Sequence, residues 1–455
     1  MNQVWLSSIA GEIRGAYIQK DWIAEFFYHN DRFPSLKDRI YSGRVIEYVK
    51  PLNRAIIDIG ESRPAFIETK NPKSLPTLGE KILVQLLAHG DPTSLQDHTL
   101  LKATTHISLN RGGLVLMPFR HEISMSQRAS KDRANVVMDA LYESGFRGIV
   151  RSQALKQPEA KLLQTHTSLL ELWEKINRDY LESPAGTLLF SPHPLYRWLE
   201  RLEEISEIYF DDPQLKPDLE DFVHSLPKSS TLVPSMQSYC GFPEEIEEAW
   251  QTLFQDDIPL IQSGGNIRIH HLSTAQLIDV NSGSNPSNIQ PEQNFLKVNI
   301  EAVEEAIRQI RLRGLRGGIL IDFITMKTPH NRKILEQKIK SLCKSDPYGL
   351  TFHGLTPMGL GEFTREGLFA PLPQLLSFNF ERTKSIHVLV TEILRACYSA
   401  SLKPHISITM HPKVYKVLQE HYAHAWELIT QRFAEIKIDT SCEGVDDFYI
   451  NTFKQ

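Results

Sequence analysis

The chain has 455 residues, 41% of them hydrophobic and 23% charged, with 24 Gly and 26 Pro. That composition excludes a disordered chain, a collagen and a coiled-coil rod, and the length predicts about three domains or one large domain with insertions. A net charge of −5, from 50 Lys+Arg against 55 Asp+Glu, argues against coating nucleic acid through overall charge but leaves room for one local basic channel. No window approaches the ~18 uninterrupted apolar residues of a membrane span. The first residues, MNQVWLSSIAGEIRG, lack the basic head and apolar stretch of a signal peptide, so a cytoplasmic location is expected, with no membrane partner. Cys240, Cys343, Cys397 and Cys442 stand far apart with no CxxC among them. They read as inert thiols rather than a disulfide framework or a zinc knuckle.

Residues 1–35 read as a short strand pair, EIRGAYIQK and WIAEFFYHN, too small to fold alone. Next come five short Ile- and Val-rich runs separated by Gly, Pro, Asn or Asp: RIYSGRVIEYV, RAIIDIG, PAFIET, KILVQLLA and THISL. Five short strands in that length predict a small closed barrel of the OB type. GLVLMPF, a helix at SKDRANVVMDAL and a strand at FRGIVRS follow. Residues 158–182 have helical spacing, with Leu162, Leu169, Leu172 and Trp173 on one apolar face. SPAGTLLFSPHP marks a boundary, after which a helix (LYRWLERLEEI), a strand (EIYF) and a second helix (LKPDLEDFVHSL) are expected.

One segment is crowded with chemistry, from IQSGGNIRIHH through STAQLIDVNSGS to LRGGILIDFITM. It reads strand, strand, long helix, strand. Leu296, Ile300, Val303, Ile307 and Ile310 fall on one helical face, and Gly314 is a plausible C-terminal stop. Asp279 ends one apolar run and Asp322 the next; strand alternation puts Asn281 on the same face as Asp279. A helix of that length can cross between parallel neighbours and bring both carboxylates to one sheet edge. Two carboxylates and a substrate phosphate suit Mg²⁺, which keeps most of its waters and wants few protein ligands. The residues alone serve equally well as strand-end caps or solvated turn residues. After Thr383 a small αβ unit is expected, from SIHVLVTEILRACYSA, HISITM, VYKVLQEHY and AEIKIDT.

The string LIDVNSGS…NIEAVEEAIRQIRLRGLRGGILIDFITM resembles the catalytic signature of the ribonuclease E/G family, which typically shows IDINS, NLEAA-EIARQLRLR and GG-I-IDFIDM. DRIYSGRVIEYVKPLNRAIIDIGESRPAFI is similar to that family's S1-type RNA-binding barrel, and HISLNRGGLVLMPF to the start of its 5′-end sensor. EEISEIYFDDPQL, SGGNIRI and LTPMGLGEFTREG also fit, the last beside the family's FGLLEMSR. The resemblance implies an α/β multidomain fold: a deoxyribonuclease-I-like catalytic domain, a ribonuclease-H-like subdomain, an inserted S1-type OB barrel, a 5′-sensor and a small C-terminal αβ domain. The boundaries are 1–35 plus 197–255 for the ribonuclease-H-like part, 36–105 for the barrel, 106–196 for the sensor, 256–382 for the catalytic domain and 383–455 for the last.

By the same resemblance, the two metal-binding acids fall on Asp279 and Asp322, and the Asn that positions the phosphate or metal-bound water falls on Asn281. The sensor's Arg–Thr pair falls on Arg151 and Ser152; a guanidinium fork and a hydroxyl both suit a terminal phosphate. Of the barrel's two base-stacking aromatics, the second is kept as Phe66 and the first falls on Ile56. The sensor's glycine falls on Arg111, which adds a cation for the 5′ end or blocks it. Leu272 and Ser273 replace a Thr-Glu before the first acidic strand, and Thr325 replaces the second acid of IDFIDM. The family's zinc-linker cysteines have no counterpart in GLFAPLPQLLSFNFER.

The expected activity is a Mg²⁺-dependent endoribonuclease, with Mn²⁺ as a substitute ion and no zinc, acting on single-stranded RNA with or without a 5′-monophosphate. The alternatives are a non-catalytic RNA-binding relative acting on rRNA or mRNA, and a metal-dependent phosphatase that leaves the barrel unexplained. The expected assembly is a monomer or a zinc-free dimer. Of Arg308, Arg311, Arg313 and Arg316, at and beyond the helix end, most are expected to be structural, with one or two facing RNA.

Overall fold

The computed structural model describes residues 1–455 apart from 33, 70–74, 88–99, 126–130, 152–153, 203, 226–231, 239, 273–274, 284–290, 368, 377–383, 401–404 and 453–455. The chain divides into two units: residues 1–33, 201–216 and 232–455 form one, and residues 34–200 and 217–231 the other. The architecture is mixed α/β.

In the second unit the strand Ile40–Val49 pairs antiparallel with both Arg54–Asp58 and Lys81–Leu86. Arg54–Asp58 leads to Ala65–Glu68, which runs parallel to Leu101–Thr104, and that strand returns to Lys81–Leu86. Five strands therefore close into a barrel, which leaves no free sheet edge among them. Alternation turns Ala55, Ile57, Ala65, Ile67, Val84, Leu86, Leu101 and Ala103 into its core. The expected fifth strand, THISL, is displaced: Leu101–Thr104 closes the barrel, while Ile107 and Leu109 pack into a different core. The short alternation of LKAT carries little local signal, so the more apolar run beside it stands out in the sequence.

That other core belongs to a four-stranded sheet, in the order Ile123–Met125, Gly148–Val150, Leu114–Leu116 and Leu109–Arg111. The helices Lys131–Glu143 and Glu159–Glu182 accompany it, the latter burying Leu162, Leu169 and Ile176 at intervals of two turns.

The first unit opens on a strand the sequence reading missed. Gln3–Ile9 pairs antiparallel with Glu12–Gln19, and that strand with Trp22–Asn30. On its other side Gln3–Ile9 runs parallel to Glu207–Phe210, which pairs in turn with Pro234–Met236. The helix expected over LYRWLERLEEI is shorter, Pro194–Leu199, and Glu204 adopts φ +45°, which a continuing helix cannot contain.

The last segment has its own sheet, Glu435–Asp439, His405–Met410 and Phe448–Thr452. Its leading helix Ile386–Ala400 is tied to the N-terminal hairpin. Thr391 Oγ1 donates to Glu12 Oε2 at 2.8 Å, Arg395 pairs with Glu12 Oε1, and Arg14 Nε donates to that same oxygen at 2.9 Å. Helix Ile386–Ala400 thus shares a charged core with the start of the chain. The apolar connector before that helix is also satisfied internally. The turn Leu372–Leu376 places Leu372 and Leu376 in a core with Phe26, Tyr28, Trp250, Leu312 and Val388; Phe378 lies outside the described residues.

A six-stranded sheet carries Asp279 and Asp322, in the order Asp257–Pro259, Asn266–His271, Ala275–Asn281, Gly317–Asp322, Leu360–Arg365 and Thr351–Leu355. Helix Pro291–Leu312 links the two central strands, and helix Pro329–Cys343 follows them. Ile267, Ile269, Ile278, Val280, Ile319 and Ile321 face these helices with Val298, Ala302, Val303, Ala306 and Ile310. Residues at the alternate positions point to the other face.

Candidate active site

Ala275–Asn281 and Gly317–Asp322 are parallel, and their register sets Asp279 directly opposite Asp322. Adjacent strands lie about 4.8 Å apart, so the two carboxylates are neighbours on one face. Asp322 and Asn281 are exposed and Asp279 is half-buried. Asn281 Nδ2 donates to Asp279 Oδ2 at 2.9 Å, which fixes one carboxylate oxygen and leaves Oδ1 for another partner.

Two glycines shape the end of this strand. A Cβ on Gly265 would stand 2.3 Å from the carbonyl oxygen of Asn281. Gly283 has φ +66°, and a Cβ there would lie 2.1 Å from the carbonyl of Gly264. The SGG turn and the NSG exit approach so closely that only glycine fits either position.

The chain beyond Asp322 is held by residues that the sequence reading passed over. Asn299 is fully buried on the helix face; its Nδ2 donates to Ile324 O at 2.8 Å and its Oδ1 accepts from Ile324 N at 3.0 Å. Glu292, in the first turn of that helix, accepts the Lys327 N–H at 2.8 Å, and that bond holds its carboxyl below the ordinary range. The available signal was an Asn among the apolar positions Val298, Ala302 and Val303. The exposed Thr325 lies in this segment and Leu272 is also exposed; Ser273 falls outside the described residues.

Across the Asn266–His271 strand, Arg268 is the register partner of Asp279, and Asp257 is the partner of Arg268. Arg268 donates from Nε to Asp257 Oδ1 at 2.6 Å and from Nη2 to Oδ2 at 3.0 Å. Those hydrogen bonds, then the charges of Asp257 and Asp279, raise its pKa further.

The helix-end arginines are buried or engaged by groups of the protein itself. Arg313 is fully buried and donates to the carbonyls of Thr252, Leu253 and Gln255; burial lowers its pKa to about 10. Burial does the same to Arg316. Arg311 bonds Glu25 and Gln19, and Arg308 makes two bonds to Glu305.

In the second unit Phe66 is half-buried on its barrel strand opposite Ile56, which is 5% exposed. The guanidinium of Arg54 lies 4.5 Å from the centre of the Phe66 ring. Arg111 ends the strand Leu109–Arg111 and donates from Nη1 to Ser168 Oγ at 2.7 Å. Its strand and that of Val150 flank Leu114–Leu116 on opposite sides, and the Arg151 N–H donates to Gly113 O at 2.9 Å. Both arginines therefore border the Gly112–Gly113 turn, which Gln157 and Glu200 also bind. Ser152 lies outside the described residues. Burial and then the charge of Arg111 lower the pKa of Lys161 nearby.

Fold and site together define a multidomain α/β protein with an inserted five-stranded barrel and paired carboxylates on the exposed face of a sheet. A model of the ribonuclease E/G family matches residues 108–367. The chain is 25% identical to ribonuclease G of Haemophilus influenzae over 425 residues, 84% of each chain. It is 25% identical to ribonuclease G of Escherichia coli K12 over 389 residues, 78% of each. Ribonuclease E of Buchnera aphidicola is 26% identical over 399 residues, 79% of this chain but 40% of that longer one. This chain belongs to the ribonuclease E/G family. Among the described residues, no helix is long and apolar enough to cross a membrane.

Proposed function

We propose that this protein is an endoribonuclease that hydrolyses phosphodiesters of single-stranded RNA at the sheet face bearing Asp279, Asn281 and Asp322. The observation that carries this reading is the direct opposition of Asp279 and Asp322 on parallel strands, in a chain of the ribonuclease E/G family. In finer terms, the six-stranded sheet and its helices are read as the deoxyribonuclease-I-like part and the N-terminal sheet as the ribonuclease-H-like part.

The donor set fits Mg²⁺, or Mn²⁺ in its place. Among the described residues no group of three or more His, Cys, Asp or Glu side chains is gathered for a metal. A pair of solvent-accessible carboxylates, leaving the other positions to water and phosphate, suits a hard, hydrated ion. Asp279 and Asp322 would hold that ion, which supplies water activation and stabilisation of charge developing on phosphorus oxygens. Asn281 orients Asp279 through their hydrogen bond, and its exposed amide is placed to contact the scissile phosphate. Asn299 and Glu292 fix the backbone that follows Asp322.

The barrel is read as the RNA-binding module. Phe66 offers one base platform, with Arg54 over its ring; Phe66→Ala should weaken RNA binding by about 1–3 kcal/mol. Arg151, with Ser152, is assigned to a 5′-monophosphate. Arg111 being engaged with Ser168 supports a pocket altered from the family pattern. No structural zinc is proposed.

The decisive test is cleavage of matched 5′-monophosphate and 5′-hydroxyl oligoribonucleotides, with and without Mg²⁺. Asp279→Asn and Asp322→Asn should abolish cleavage while leaving melting temperature and RNA binding nearly intact. RNA binding without cleavage by the wild type would instead establish the non-catalytic relative. Faster cutting of the monophosphate substrate, erased by Arg151→Ala, would establish the sensor.

A further inference from the structure

The exposed face of the catalytic sheet carries a row that crosses four strands: Asp257, Arg268, Asp279 and Asp322 are successive register partners. Side chains of directly paired residues project to one face, so the only cation in that row stands beside the acidic pair. On the far side of Asp322 the next partner is Leu360, which brings no charge. A phosphodiester approaching two carboxylates needs a nearby donor of positive charge, and a guanidinium supplies it in a planar fork.

From this row we propose that Arg268 is a phosphate-binding residue of the active site, and that Asp257 is the partner it relinquishes when RNA arrives. The proposal rests on the endoribonuclease reading above and adds to it a substrate contact together with its competitor. Arg268 and Asp257 side chains are 45% and 47% exposed, so their pair is open to solvent and weak enough to exchange. Only Nε and Nη2 engage Asp257; Nη1 has no hydrogen-bond partner among the described residues. Asp257 is further held by Asn266 Nδ2 at 3.3 Å, so the edge strand keeps a tie of its own when the arginine leaves.

Two substitutions with opposite expected signs test this. Arg268→Ala should raise KM for a 5′-hydroxyl oligoribonucleotide about tenfold, with a smaller fall in kcat. It should also reduce the slope of log affinity against log salt by about 1, read by fluorescence anisotropy in an Asp322→Asn background. Arg268→Lys keeps the charge and should recover the salt slope but only part of KM. Asp257→Asn should lower KM, because it frees the guanidinium. Thermal melting of each variant checks the fold. If Arg268→Ala and Asp257→Asn change KM in the same direction, or leave KM and salt slope unmoved, the pair is only a brace for the edge strand and the proposal fails. The endoribonuclease reading fails separately, if Asp279→Asn still cleaves or the wild type does not.

Discussion

At Asn281 the side-chain amide donates to a carboxylate that faces solvent, whereas at Asn299 both ends of the amide are consumed by the backbone N–H and carbonyl of Ile324. Removing the first takes an orienting partner from an acid that would ligate metal, which typically costs 10–100-fold. Asn281→Ala should therefore lower kcat/KM by about 10–100-fold with little change in urea midpoint. Removing the second leaves the half-buried N–H and C=O of Ile324 without their partner, and an unpaired buried group costs up to about 1–3 kcal/mol. Asn299→Ala should shift the urea midpoint clearly downward, and cleavage should fall further than RNA affinity because the chain after Asp322 loosens. The thiols differ again. Burial pushes Cys343 up to about 11 and Cys397 up to about 12; burial and then Asp211 push Cys240 to about 12. Among the described residues, however, no three His, Cys, Asp or Glu side chains are gathered as a tetrahedral zinc site within the chain would need. Metal analysis of untagged protein should find no stoichiometric zinc; half a zinc per chain, lost with dissociation on chelation, would overturn that expectation.

Among the elements, helix Ile386–Ala400 is seated by ionisable groups, which makes its docking sensitive to acid. Burial alone would raise the Glu12 pKa, but Arg14 and Arg395 outweigh it and hold the carboxyl below its usual value. A depressed folded pKa means a stabilisation present above the unfolded value, about 4.3, and lost as pH falls through the folded one. His387 on the same helix is lowered to about 4 by burial, then by His421 and Arg32. Because it is kept neutral in the fold, its protonation in the unfolded chain erodes stability as pH drops from about 6.5 to about 4. Hydrogen exchange should show protection of residues 386–400 declining in two stages, first below pH 6.5 and again below about 4.3. Glu12→Gln, which leaves two arginines without their shared carboxylate, should cost about 3–5 kcal/mol at neutral pH. Elements with strong periodicity were legible beforehand. The long helix was marked by Leu296, Ile300, Val303, Ile307 and Ile310, and its length made the meeting of Asp279 with Asp322 foreseeable. What escaped notice was non-local: Asp257–Pro259 has three residues and no pattern, so the row through Arg268 could not be read from sequence. Gln3–Ile9 is only partly of this kind: its hairpin with Glu12–Gln19 is local, and its parallel partner Glu207–Phe210 lies far along the chain.

On the scale of the whole molecule, one unit's sequence is interrupted by all of the other's, residues 34–200 and 217–231. The apolar connector Leu372–Leu376 buries itself within its own unit, so its greasiness gives no reason to invoke a partner copy. The interruption has a bearing on how the protein is made. Gln3 Nε2 meets Glu207 across 204 positions, and Arg395 reaches Glu12 across 383. A ribosome adding about 5–20 residues per second would thus need on the order of 20–80 s before Arg395 exists. Until then the opening hairpin carries Glu12 and Arg14 without their full set of counter-ions, and until Glu207–Phe210 is made its first strand also has an open edge. The barrel, whose strands close within residues 40–104, can form meanwhile. Nascent chains stalled after residue 200 should protect barrel amides while leaving the first thirty residues labile, so the unit bearing Asp279 and Asp322 would be the last part of this protein to become a folded object.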